Sequence, residues 1–99
     1  MTKKLSQLQK IFLPIFKHYG VIRADIFGSV ARGDDTKKSD LDVAITLKKP
    51  LGLFTFLQLN EELEHCAGRK VDLVTHASIH PRLKPYISKD LTLFYEEKS

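Results

Sequence analysis

Cysteine is almost absent from this chain. Cys66 stands alone among 99 residues, so no internal disulfide can form, and the expected setting is a reducing cytoplasm. Tryptophan is missing, which leaves six Phe and three Tyr to supply the aromatic part of any core. No apolar run approaches the ~20 residues needed to span a bilayer, so no membrane partner is expected. The start, Met1-Thr2-Lys3-Lys4, has lysines but no apolar stretch behind them, and a secretory signal is not expected. With five Gly and four Pro there is no linker and no low-complexity segment. Repeats are absent too. The formal charge of +4 is scattered, with no dense basic tract, no helix-turn-helix pattern and no arginine–aromatic interleaving. Sequence-specific nucleic-acid binding is therefore not expected. A mild positive balance suits an anionic ligand and an ordinary solvated surface equally well.

What remains is one domain, residues 1–99, with apolar residues in regular patterns. Leu5, Leu8, Ile11, Phe12, Ile15, Phe16 and Tyr19 recur at helical spacing. Pro14 interrupts them and must either kink that helix or open a second one. Residues 21–27 read as a strand with Ile22, Ala24 and Ile26 on one face. A turn and a polar loop follow over residues 28–38. Leu41, Val43, Ile45 and Leu47 then alternate strictly along a second strand, with Asp40 and Asp42 on its opposite face. Residues 53–67 suit a helix, with Leu53, Phe56, Leu57, Leu63 and Ala67 roughly on one side and Gly68 as its C-cap. The cluster Phe54, Phe56 and Leu57 is either core or a partner contact. Residues 70–75 form a short strand around Asp72. A weaker helix is expected over residues 80–89, with Pro81 in its first turn, and a last strand over residues 91–95. The expected fold is α/β (α+β), a small mixed sheet of about four strands flanked by helices.

The chemistry concentrates in Gly28-Ser29-Val30-Ala31-Arg32-Gly33 and in Ser39-Asp40-Leu41-Asp42. Two carboxylates on one strand face, with Cα atoms ~7 Å apart, repel each other unless a cation sits between them. Oxygen ligands of this kind suit Mg²⁺, which completes its shell with water and phosphate oxygens. If the Asp72 strand lies beside theirs, a third carboxylate converges on the same place. Gly28 and Ser29 stand where a strand gives way to a helical turn, a place where backbone N–H groups can approach a phosphate. Neither a P-loop nor a dinucleotide fingerprint is present. The plainer readings are solvated strand acids for Asp40 and Asp42, and a simple N-cap for Ser29. Arg32 suits a phosphate and an ion pair with Asp34 or Asp35 equally. His76 and His80 are four apart, but Pro81 and the turn-like composition argue against a zinc pair.

Ser29 is followed by ten residues, 30–39, and then by Asp40-Leu41-Asp42. In this the chain resembles the nucleotidyltransferase superfamily related to DNA polymerase beta, and in Gly-Ser-x-Ala-Arg-Gly its minimal nucleotidyltransferase subgroup. The resemblance covers nearly the whole chain and implies a Mg²⁺-dependent enzyme acting on ATP. Asp40, Asp42 and Asp72 would be the metal-binding and catalytic carboxylates, with Asp72 drawing the proton from the acceptor hydroxyl. Gly28 and Ser29 would hold the β- and γ-phosphates, and Arg32 and Lys38 would neutralise triphosphate charge. The resemblance further implies an antitoxin that adenylylates a tyrosine of a HEPN-type toxin, with the acceptor site completed by a partner or a homodimer. Two rival expectations stand beside it: a module that neutralises its partner by contact alone, and a nucleotidyltransferase for small molecules.

Overall fold

The computed structural model describes residues 3–33 and 39–97. Along the chain run α1 (Lys3–Tyr19), β1 (Val21–Phe27), α2 (Gly28–Arg32), β2 (Leu41–Leu47), α3 (Leu53–Ala67), β3 (Val71–Thr75), a 3₁₀ turn (His76–Ser78), α4 (Lys84–Ser88) and β4 (Thr92–Glu96). The strands form one mixed sheet in the order β3-β2-β1-β4. β1 runs antiparallel to β2 and to β4, whereas β2 and β3 are parallel. A parallel pair needs a crossover, and α3 provides it. Among the described residues no helix is long and apolar enough to cross a membrane.

Helices α1 and α3 pack side by side on the face that carries Ala24, Ile26, Val43, Ile45 and Val71. α1 runs unbroken through Pro14, which lies on its exposed side, where the carbonyl it leaves unpaired can turn to water. Its buried stripe is Leu5, Leu8, Phe12 and Phe16, while Ile11 stays 44% exposed. Phe12 meets Phe16 and Phe94 edge to face, with ring centroids 5.7 and 5.8 Å apart. Such pairs add about 0.5–1.5 kcal/mol beyond their burial. In α3 the sheet-facing residues are Leu59 and Leu63, flanked by half-buried Phe56 and Ala67. Leu57, two residues from Leu59 and so about 200° round the helix, points outward. Leu53 and Phe54 are exposed in the first turn, so Phe54 and Leu57 are not core.

Two register shifts alter the strand faces expected from strict alternation. One falls between Val21 and Arg23, and Val21 rather than Ile22 is buried. The other, in the β1–β4 pairing between Ala24 and Asp25, accounts for Phe94 and Tyr95 both being buried although they are consecutive. The last helix also starts later than its composition suggests. Residues 81–83 form turns, and α4 begins at Lys84 with Pro85 in its first turn. Proline has no N–H and would clash with the preceding turn of a longer helix, so it fixes the start.

Replacing Phe12 with Ala should cost about 3–5 kcal/mol in urea unfolding, whereas Phe54→Ser should stay within about 0.5 kcal/mol. Equal effects would contradict this division between core and surface.

Candidate active site

β1 ends at Phe27 and the chain turns at once into α2. Gly28 makes the turn with φ of 74°, a left-handed conformation that side chains disfavour. A Cβ there would also overlap Asp42 Oδ2. Phe27 and Asp42 face each other across the β1–β2 pair, so glycine is what lets the carboxylate lie against the turn. Ser29 is not the cap of α2. The N-cap is Phe27, without a side-chain hydrogen bond, and Ser29 sits half-buried within the first turn. The leading N–H groups of a helix have no acceptor inside it. Because α2 is barely more than one turn, a phosphate here would meet individual N–H groups rather than a macrodipole.

Asp72 stands directly opposite Asp42 in the parallel β2–β3 pair, on strands ~4.8 Å apart. The two carboxyls approach closely enough to hydrogen-bond when Asp42 is protonated. Burial pushes the Asp42 carboxyl above the usual carboxylate range, and the charges of Asp72 and Asp40 push it further. Arg32 pulls it back down, while the bond to Asp72 adds to the rise. Asp40 does not share the strand with Asp42, because β2 begins at Leu41. Its carboxylate is 46% exposed and lies 4.0 Å from Lys70 Nζ. Among the described residues no three His, Cys, Asp or Glu side chains converge closely enough to enclose a metal ion.

These residues nevertheless fit a hard divalent cation. Two carboxylates are pressed together against like charge, and the absence of a Cβ at Gly28 lets Asp42 lie against the turn. Mg²⁺ is commonly held by one or two carboxylates, with water and substrate phosphates supplying the rest of its shell.

Arg32 closes α2, and its Nη1 donates to Asp90 Oδ2 at 3.0 Å. This partner is an acid far along the chain. Asp34 and Asp35, together with Lys38, lie outside the described residues.

A second polar cluster was not foreseen. Asp25 is 1% exposed and accepts hydrogen bonds from Arg23 Nε and Nη2 at 3.0 and 3.2 Å. His76 Nε2 lies 2.8 Å from Asp25 Oδ2, and its Nδ1 lies 2.8 Å from Thr46 Oγ1. If Nε2–H donates to the acid, Nδ1 accepts from the threonine hydroxyl. His80 takes no part, and its Nδ1 accepts from the Arg82 N–H. An acid within an otherwise apolar strand run, Ala24-Asp25-Ile26, was the one available signal.

A four-stranded mixed sheet with a Gly-Ser turn set against paired aspartates defines a class. The sequence pattern of the nucleotidyltransferase domain matches residues 5–94, and the chain belongs to that family of enzymes. It is 37% identical over 83 residues to a protein of Methanocaldococcus jannaschii provisionally named a protein adenylyltransferase, covering 84% of this chain and 89% of that one. It is also 35% identical over 63 residues to the protein adenylyltransferase MntA of Thermococcus cleftensis, covering 64% of each. A solved structure described provisionally as a minimal nucleotidyltransferase matches with a TM-score of 0.75 and 30% identity, over 89% of this chain and 93% of that one. A complex of tri-AMPylated Shewanella oneidensis HEPN toxin with MNT antitoxin matches with a TM-score of 0.72 over 94% and 73% of the two chains. At 16% identity that likeness is one of fold.

Two measurements follow from this geometry. Gly28→Ala should strain the turn and displace Asp42, lowering nucleotidyl transfer at least tenfold; full activity in a steady-state assay would contradict the tight approach. Asp42 binds its proton more tightly folded than unfolded, so its contribution is favourable at acid pH and is lost as pH rises through the folded value. Asp42→Asn should therefore raise the melting temperature of metal-free protein at pH 7, with the gain shrinking toward pH 4. A variant less stable than the parent at pH 7 would refute this.

Proposed function

We propose that this chain transfers AMP from ATP, with Mg²⁺, to a hydroxyl on a partner protein. The observation that carries the reading is the in-register placement of Asp42 against Asp72 beside the Gly28 turn. Asp42 and Asp72, with Asp40 at the margin, would hold Mg²⁺, which neutralises phosphate charge when bound. Gly28 and Ser29 offer N–H and hydroxyl donors to the β- and γ-phosphates, and Arg32 and Lys38 add positive charge. The acceptor oxygen attacks the α-phosphorus, the bond to the β-phosphate breaks, pyrophosphate leaves, and Asp72 takes the hydroxyl proton. Positioning and preorganised charge supply most of the acceleration in such a site.

The names of the curated relatives support protein as the acceptor class. The AMPylated HEPN toxin held by an MNT antitoxin of the same fold supports the narrower reading. In it this chain is an antitoxin, its partner a HEPN-type toxin, and the acceptor a tyrosine. The lone, exposed Cys66 is compatible with work in a reducing cytoplasm.

The test uses ATP labelled at the α- or the γ-phosphate, Mg²⁺, and the protein encoded beside this chain. Only the α-label should reach the partner, and Asp42→Asn should reduce transfer by at least about 10²-fold. Tight complex formation without transfer, or neutralisation that survives Asp42→Asn, would replace catalysis with binding alone.

A further inference from the structure

Arg32 serves two anions. It favours the ionised form of Asp42, and it donates to Asp90 at 3.0 Å. The sheet explains why Asp90 is there. β1 and β4 are antiparallel with Ile26 opposite Thr92, which brings the start of β4, and Asp90 just before it, to the end of β1 where the Gly28 turn begins. The phosphate turn is thus flanked by Asp42 from β2 on one side and by Asp90, just before β4, on the other. The backbone of Asp90 is tied locally: its N–H donates to Ile87 O at 3.0 Å and its carbonyl accepts from Thr92 Oγ1 at 3.4 Å. An acid held beside the place where a polyanion must bind opposes that binding.

We propose that Asp90 is an internal anion that occupies Arg32 until nucleotide arrives, so that binding exchanges this ion pair for one with phosphate and Asp90 sets nucleotide affinity. The inference rests on Arg32 being a phosphate ligand. The exchange is easy because the pair is solvated, with side chains 48% and 27% exposed, and such pairs hold weakly. A triphosphate brings several charged oxygens in a geometry that guanidinium matches well. The segment that Asp90 ends is loosely held as well, since α4 buries none of its residues. Exchange would free the joint between α4 and β4.

The experiment is a calorimetric titration of the full chain with a non-hydrolysable α,β-methylene ATP analogue and Mg²⁺. Five proteins are compared: parent, Asp90→Asn, Arg32→Ala, the double variant, and Asp90→Glu as the conservative control. Asp90→Asn should bind the analogue about two- to fivefold more tightly, a sign that structural damage would not produce. Arg32→Ala should bind more weakly, Asp90→Asn should add nothing in that background, and Asp90→Glu should match the parent. Weaker or unchanged binding by Asp90→Asn, with Arg32→Ala still impaired, overturns the role of Asp90 alone. Unimpaired binding by Arg32→Ala overturns the phosphate role of Arg32 and the inference built on it.

Discussion

The site depends on one pairing, the parallel register that sets Asp72 opposite Asp42. Strand alternation turns both carboxylates to the face away from α1 and α3, and the crossover through α3 makes them neighbours. Neither strand could slip by one residue without sending an acid into the core and apolar residues out of it. The apolar residues Leu41, Val43, Val71 and Leu73, all nearly or fully buried, therefore hold the acids together. Packing on one face enforces repulsion on the other.

The same open face shows how the chain treats an acid it means to satisfy. Asp25 is almost wholly buried, yet it is met by a guanidinium and an imidazole, and the imidazole is itself held by a threonine. Asp42 instead faces the like charges of Asp72 and Asp40. A buried acid with charge-complementary partners is a structural solution. Two acids set against one another beside a glycine turn, with the Arg32 guanidinium also engaged by Asp90, carry negative charge that a cation would answer. The contrast between the two clusters separates architecture from site more sharply than either does alone.

Much of this was legible in residue order. The spacing from Ser29 to Asp40 and Asp42 identified the turn and the acids, and the alternation of β2 gave their shared face. The position of Asp72 rested on a guess about strand adjacency, since which strands pair depends on long-range packing. Asp40 stands one residue before β2 begins, close enough for its charge to act on Asp42. The Asp25–His76–Thr46 cluster joins residues 51 and 30 apart, and no local pattern marks such a meeting. The faces of β1 and β4 were blurred by register shifts, which depend on both strands of a pair and are invisible in either. Proline position decided where α4 begins, but choosing between Pro81 and Pro85 required knowing how far the turns before it extend.

Arg32 shows why a site cannot be read as a set of separate residues. From sequence it suited a phosphate or a local ion pair equally, and among the described residues it donates to an acid 58 residues away. An ion pair of that kind is usually taken as evidence against a binding role, because the charge is already used. In the proposed exchange the pair instead holds the guanidinium ready for phosphate. A guanidinium that lowers the proton affinity of Asp42 acts on the site whatever else it touches, and a weak solvated partner keeps it oriented without binding it firmly. The +4 net charge of the chain adds only a diffuse attraction for nucleotide. In the proposed exchange, the balance among Arg32, Asp42 and Asp90 is what would make that attraction specific.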